Sequence, residues 1–225
     1  TFPCIIKPVD GQGQKGVFKA TSRMELQKLY AQCLGFSASG RVIVEEYISG
    51  RESTVNCYMQ NSSIYFFAVY DKMPTRIKNN WSPQQYRLPS FYKNDRHIID
   101  LIHQISKSAQ IHDGPLMIQI RYRQELPKVI EYFSRPGGSH TYAFIEKYYG
   151  VNLNETLIRH LKGESLPEPR ITIKHPKLTY HLVYGPSGQA PSYDFKNLKD
   201  VKEHKTYFAA GELVPGKSKY ERIGY

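Results

Sequence analysis

Three sets of residues in this sequence have side chains whose type and spacing suit chemistry on a phosphorylated ligand. The first is the run Asp10-Gly11-Gln12-Gly13-Gln14-Lys15-Gly16, preceded by Lys7. Glycines let consecutive backbone N–H groups close on an anion, and the two lysines add point charges suited to a phosphate chain. The run matches neither GxxxxGK[ST] nor a GxGxxG opening a helix, and a glycine-rich turn with solvated lysines would use the same residues. The second set is Val44-Glu45-Glu46-Tyr47-Ile48-Ser49-Gly50-Arg51-Glu52. Backbone groups at the end of its apolar strand can bond an adenine edge, and a carboxylate a few residues on can take ribose hydroxyls. An edge strand with solvated glutamates fits the same string. The third set joins Leu116–Arg121 to Val129–Gly138. Gln119 and Glu131, on neighbouring strands, offer hard oxygens of the kind magnesium takes alongside water and phosphate. Arg135, four residues on, suits charge developing on a transferring phosphoryl group. Glu131 stands in an otherwise apolar strand and needs a cation or a Lys/Arg partner, so a salt bridge to Arg135 is the plain alternative.

The elements that must position these residues are read from periodicity. Residues 2 to 9 are extended. Ser22 and Glu25 have capping-box spacing, and Met24, Leu26, Leu29, Tyr30 and Cys33 recur at helical intervals as far as Gly35. Val42–Ile48 is a strand, and Thr54–Met59 with Ile64–Val69 forms a hairpin about Gln60-Asn61-Ser62-Ser63. The segment from Met73 to Tyr92, with its prolines, reads as an irregular loop. Ile98, Ile99, Leu101, Ile102, Ile105 and Ala109 make one helix face. Leu116–Arg121 and Lys128–Phe133 are strands joined by a polar turn at Gln124-Glu125. Helical stretches near Tyr142–Tyr149 and Asn152–Leu161 lead to a break at Leu166-Pro167-Glu168-Pro169. The remainder is a small β-rich tail, with Leu178–Tyr184 and Tyr207–Ala210 as its strands.

Composition narrows the function classes. With 225 residues, 40% of them hydrophobic, the chain has room for one sizeable core and a small second lobe. Its 18 Tyr and 10 Phe exclude a disordered tail. No apolar run approaches the roughly 20 residues of a membrane span, and no leader pattern opens the chain, so neither membrane nor secretion is expected. Cys4, Cys33 and Cys57 form no CxxC, which points to a reducing, cytoplasmic setting without a disulfide framework. The formal charge of +11 favours polyanionic partners without choosing among them. Tyr86, Arg87, Tyr92 and Lys93 could make a basic aromatic surface for single-stranded nucleic acid, although nothing periodic supports it. His140, five residues after Arg135, reads as a surface-loop histidine. The start on Thr1 reads as a piece of a longer protein.

Taken in order, five features resemble the ATP-grasp superfamily over residues 2 to 165. They are Lys7-Pro8, the loop ending Lys15-Gly16-Val17, Val42–Ile48 with Gly50 and Glu52, Gly114-Pro115 before a strand, and Val129-Ile130-Glu131 leading to Arg135-Pro136-Gly137-Gly138. More loosely, the tail with Gly211 and Arg222-Ile223-Gly224-Tyr225 is similar to the end of carboxylate–amine ligases related to biotin carboxylase and L-amino acid ligases. The resemblance implies an α+β ATP-grasp fold in which two α+β lobes, residues 1–50 and 51–165, clasp ATP. Residues 166–225 would be a β-rich part of the large lobe or a small extra lobe.

It also implies an ATP-dependent ligase forming C–N bonds: a carboxylate is activated as an acyl phosphate and captured by an amine or similar nucleophile. By the same resemblance Lys7 and Lys15 contact the phosphates under a lid of Gly11, Gly13, Gln14 and Gly16, while Glu45, Glu46, Tyr47 and Ile48 line the adenine. Glu52 holds the ribose, Gln119 and Glu131 hold the metal, and Arg135 stabilises the acyl-phosphate step. The cofactors would be ATP and Mg2+, with Mn2+ as a substitute. The other partners would be small carboxylate and amine substrates and an N-terminal α/β domain that these residues do not include, without which the piece would be inactive. Two positions depart from the family pattern. Gln119 stands where many members have glutamate, and Phe133 where many place an asparagine ligand, so one metal held firmly and a second held poorly is the expectation. A degenerate, non-catalytic nucleotide-binding or scaffold module and a basic nucleic-acid binder are the alternatives. Neither the substrates nor the oligomeric state has a readable code in the sequence.

Overall fold

The computed structural model of the chain describes residues 1–74, 81–92, 94–186, 188–190, 201, 203–207, 211–214 and 220–224. The N-terminal strand β1 (Cys4–Pro8) pairs antiparallel with β2 (Phe18–Ala20) on one side and β3 (Val42–Glu46) on the other. The helix α1 (Arg23–Leu34) packs on all three strands, and Cys4, Ile6, Ala20 and Cys33 make the core beneath it. Its N-terminus is closed twice: the Ser22 hydroxyl accepts the Glu25 N–H, while the Glu25 carboxylate accepts the N–H and hydroxyl of Thr21. The capping box read from the sequence is therefore present, displaced by one residue on its return bond.

A larger antiparallel sheet follows. Its strands are β4 (Glu52–Gln60), β5 (Ser63–Pro74), β6 (Pro83–Leu88), β7 (Gly114–Arg123), β8 (Leu126–Phe133) and β9 (Leu178–His181), in the order β8-β7-β4-β5-β6-β9. Strand alternation sends Val55, Cys57, Met59, Ile118 and Ile120 to one face, against Ile98 and Ile102 of α2 (Asp95–Ser108). The opposite face carries Tyr58, Phe66, Ala68 and Tyr70, covered by Phe144, Ile145 and Tyr148 of α3 (Thr141–Tyr149) and by α4 (Leu153–Leu161). Both hairpins close on two residues with left-handed backbone: Asn61-Ser62 at φ 50° and 63°, and Gln124-Glu125 at 48° and 64°. This geometry matches the right-handed twist of the flanking strands. Among the described residues no helix is long and apolar enough to cross a membrane.

Two expectations need correction. Residues 73–92 are not wholly irregular. β5 runs on to Pro74, and Pro83–Leu88 pairs with it as β6, with Asp71 opposite Arg87 and Lys72 opposite Tyr86; residues 75–80 lie outside the described ones. Tyr86 and Leu88 face the core while Gln85 and Arg87 do not, but prolines at both ends hide this short alternation. Leu178–Tyr184 is likewise not one strand. Leu178–His181 completes the large sheet, whereas β10 (Val183–Pro186) leaves it to pair with the chain end. The break falls at Leu182, whose N–H bonds the Gln84 carbonyl at 2.8 Å. Alternation reports which way a side chain points, not which neighbour its backbone bonds. The tail adds β11 (Gly188–Gln189) paired with β12 (Leu213–Val214), and β13 (Tyr220–Gly224), the partner of β10. Of the second tail strand expected from sequence, Tyr207 lies in a bend, and Phe208, Ala209 and Ala210 are outside the described residues, as is Tyr225.

The link from β3 to β4 passes Gly50, whose backbone lies so close to β7 that a Cβ there would stand 1.6 Å from the Tyr122 carbonyl oxygen. Backbone cannot yield as a side-chain end does. Gly50→Ala should destabilise the fold by about 1–3 kcal/mol; a lower urea midpoint at unchanged m would show it, and a midpoint equal to the parent's would contradict it.

Candidate functional site

The register of the large sheet sets a patch of polar side chains at one end of the face that elsewhere packs under α3 and α4. Glu52, at the start of β4, stands opposite Lys72 on one neighbour and Arg121 on the other. Two residues on, and so on the same face, Thr54 stands opposite Gln119, which in turn pairs with Glu131. The next row brings Asn56, Met117 and Phe133 together. The adjacency of Gln119 and Glu131 expected from sequence thus becomes a direct cross-strand pair.

The first row is an ionic cluster. Lys72 forms an ion pair with Glu52 and donates to Gln119 Oε1 at 3.0 Å. Arg121 donates Nε and Nη2 to Glu52 Oε2 at 3.2 and 3.1 Å, and its Nη1 reaches the Ile48 carbonyl at 2.9 Å. Burial alone would raise the Glu52 carboxyl, but the charges and hydrogen bonds of Lys72 and Arg121 outweigh it and hold the group below its ordinary value. Both oxygens of the carboxylate assigned to ribose are thus engaged by cations.

Glu131 contrasts with it. Burial pushes its carboxyl above the ordinary value, with Lys7 and Lys72 countering only in part and Glu52 and Glu45 adding to the rise. The salt bridge to Arg135, the alternative to a metal-ligand role, is absent among the described ion pairs. The Arg135 guanidinium lies 4.7 Å over the Phe133 ring and donates to the Pro136 carbonyl at 2.9 Å. Among the described residues Glu131 has no ion pair within bonding distance. A half-buried carboxylate beside an amide oxygen that Lys72 already bonds offers two of the hard oxygens a divalent cation takes, the rest of its set being left to water and phosphate. Phe133 and Met117 in the next row supply no second set.

The small sheet brings its own charges to this end. Lys7 pairs with Glu45 at 2.7 Å, because β1 and β3 run side by side, and its Nζ also reaches the Ile130 carbonyl of β8 at 3.4 Å. Glu46 pairs with Arg123 of β7 at 2.6 Å. Tyr47 lies under the Lys19 ammonium at 3.8 Å, and Ile48 is half-buried. The glycine run forms the β1–β2 connection. Gly13, Gln14 and Gly16 all have positive φ there, and Gly16 packs on Phe36 so closely that a Cβ would stand 2.7 Å from the Phe36 Cβ. Asp10 anchors the base of this connection through the Ser37 hydroxyl and the Ser39 N–H, while Lys15 is exposed.

Lys7, Glu46 and Ile48 therefore meet one end of the large sheet, the end that holds Gln119 and Glu131, while the glycine run is held by Phe36, Ser37 and Ser39 and Arg135 follows β8 on an exposed turn. Sequence reading missed Lys72, Arg121 and Asn56. A lysine and an arginine facing inward from apolar strands were the available signal, but pairing them with Glu52 requires the register. The basic aromatic surface is overturned: Tyr86 and Tyr92 are 6% and 7% exposed and cannot stack on bases, and Lys93 is outside the described residues. His140 is half-buried, with its ring against Tyr142 and Tyr207, rather than free on a surface loop.

A family model described as an ATP-grasp domain matches residues 1–141. Among solved structures, the L-amino acid ligase from Bacillus licheniformis is 19% identical with a TM-score of 0.79, over 100% of this chain and 57% of that one. The biotin carboxylase domain of the 2-oxoglutarate carboxylase from Hydrogenobacter thermophilus, solved with MgADP, ADP and bicarbonate, is 15% identical with a TM-score of 0.74, over 100% and 52%. The N5-carboxyaminoimidazole synthetase from Staphylococcus aureus, complexed with ADP, is 19% identical with a TM-score of 0.66, over 80% and 46%. At these identities the likeness is one of fold, and the chain spans about half the length of each.

Proposed function

The chain belongs to the ATP-grasp domain family, and from that premise we propose that it holds Mg-ATP at the polar end of the large sheet, as the nucleotide-binding part of an ATP-dependent carboxylate–amine ligase. The observation that carries this reading is the half-buried Glu131 short of positive charge, beside Gln119 and facing Lys7 and Lys72. Lys7 and Lys15 serve the phosphates, with the loop of Gly11, Gly13, Gln14 and Gly16 over them. Glu45 to Ile48 line the base, and Glu52 lies toward the ribose while ordering Lys72 and Arg121. Glu131 and Gln119 hold the magnesium, which when bound neutralises phosphate charge. A substrate carboxylate oxygen attacks the γ-phosphorus and ADP departs. An amine then adds to the acyl carbon, inorganic phosphate leaves, and the amine's proton is released. Arg135 stabilises the charge on the phosphoryl oxygens in both steps.

The experiment is a calorimetric titration with ATP and Mg2+. Lys7→Ala should weaken ATP binding by about tenfold or more, as expected for removal of a charge-assisted contact to phosphate; equal affinity would remove Lys7 from the site. A non-catalytic nucleotide-binding module is a second reading, favoured by Phe133, which faces the site without a ligating atom. Release of ADP and phosphate when carboxylate and amine candidates are added would exclude it.

A further inference from the structure

We propose that Asn56 is a positioning residue: its side-chain amide clamps the turn Arg135–Gly138 onto the sheet and so aims the Arg135 guanidinium. The inference rests on the phosphoryl-stabilising role given to Arg135 above. Asn56 stands in the middle of β4, 3% exposed, among the apolar neighbours Ala68 and Met117. Its Oδ1 accepts the Gly137 N–H at 3.1 Å, a bond between residues far apart in sequence. The approach is so close that a Cβ on Gly137 would lie 2.6 Å from Asn56 Oδ1 and 2.5 Å from Thr141 Oγ1. A larger residue there would have to displace one of these two side chains.

A second anchor holds the other end of the turn, where Thr141 gives its hydroxyl to the Gly138 carbonyl at 2.9 Å. Between β8 and these two anchors, Arg135 has no carboxylate partner among the described residues: its contacts there are the Phe133 ring and the adjacent Pro136 carbonyl. Neither contact ties it to the opposite strands, so the direction of the guanidinium follows the direction of the turn. The amide carries a local penalty for this service, because among the described residues Asn56 Nδ2 is buried without a hydrogen bond of good geometry, although the Tyr70 hydroxyl lies near it, and a poorly satisfied donor there is unfavourable. An apolar side chain of similar size would remove that penalty and lose the clamp. Positioning groups act through geometry, and small misplacements of a charge-stabilising group are felt strongly in binding of the reacting group.

Two variants test the clamp from its two sides. Asn56→Leu removes the acceptor, while Gly137→Ala leaves Asn56 intact and pushes the turn off it. Hydrogen exchange of the segment 134–139, measured without any ligand, should quicken in both. Inorganic phosphate is then titrated into the MgADP complex of the parent, of each variant, of Arg135→Ala and of the double variant Asn56→Leu/Arg135→Ala. Each clamp variant should bind phosphate about tenfold more weakly with ADP affinity within twofold of the parent, and the double variant should be no worse than Arg135→Ala alone. Unchanged exchange in both variants overturns the clamp. Faster exchange with parental phosphate affinity, or losses that multiply in the double variant, overturns its action through Arg135. Failure of the parent to bind ADP would instead count against the nucleotide site itself and leave the exchange result to decide the clamp.

Discussion

Lys72→Met should lower stability at pH 7 by about 3 kcal/mol, the lower end of the range for breaking a buried ion pair. The Lys72 and Glu52 side chains are only 9% and 18% exposed. Methionine keeps most of the stem volume, so the loss falls on charge: Glu52 is left with Arg121 alone, and the Gln119 oxygen loses its donor. The two-pronged Arg121 contact is why the low end applies. The pH dependence gives a second check. Although burial opposes it, the folded-state carboxyl of Glu52 is held below its ordinary value by Lys72 and Arg121. Its contribution is complete above the unfolded glutamate value of ~4.3, and is lost as pH falls through the lower, folded value. Without Lys72 the folded value moves up, so part of the contribution is already absent. The gap between parent and variant should therefore narrow as the solution is acidified. Urea unfolding across pH 7 to 3 measures it, and a gap below about 1 kcal/mol at pH 7, or one that widens in acid, would show that the pair does not support the fold.

Glu131→Gln is expected to act in opposite directions on fold and site. Burial raises the folded-state carboxyl above its ordinary value, so the folded chain holds that proton more tightly than the unfolded chain does. The stability linked to this group is greatest below the unfolded value and declines as pH rises through the folded one. At neutral pH the charged carboxylate is thus a liability that glutamine relieves. The variant should be more stable than the parent at pH 7, with the advantage disappearing in acid. It should also lose about tenfold or more of the gain in ADP affinity that Mg2+ provides, since an amide oxygen replaces a carboxylate in a set with only one. Stability gained where binding is lost marks a strained functional position. A less stable variant at neutral pH would contradict the shortage of positive charge at Glu131; an unchanged magnesium effect would take the residue out of the metal set.

Much of the fold was legible because its signals are local. The Ser22–Glu25 spacing capped α1, alternation gave β4, β5, β7 and β8, and the polar pair Gln124-Glu125 turned as the strand pattern around it required. The hairpin of β7 and β8 also made Gln119 and Glu131 neighbours, since consecutive strands joined by a short turn have little choice of partner. Where the pattern was short, as in residues 83–88, or changed partner, as at Leu182, the same reading failed.

The sequence by itself determined the order of β1, α1, β3, β4, β5, α2, β7, β8, α3 and α4, the face taken by the residues of β4, β5, β7 and β8, and the presence of lysines, glycines and carboxylates suited to a nucleotide phosphate. Tertiary structure alone decided that Glu52 lies between Lys72 and Arg121 and that Glu131 is left without a direct ionic partner among the described residues. It alone brought Asn56 under Gly137. The reason is one of range. A two-residue period fixes the side of the sheet from neighbours along the chain, whereas β4 meets β7 across more than fifty residues of intervening sequence. That pairing is selected by burial of both faces at once.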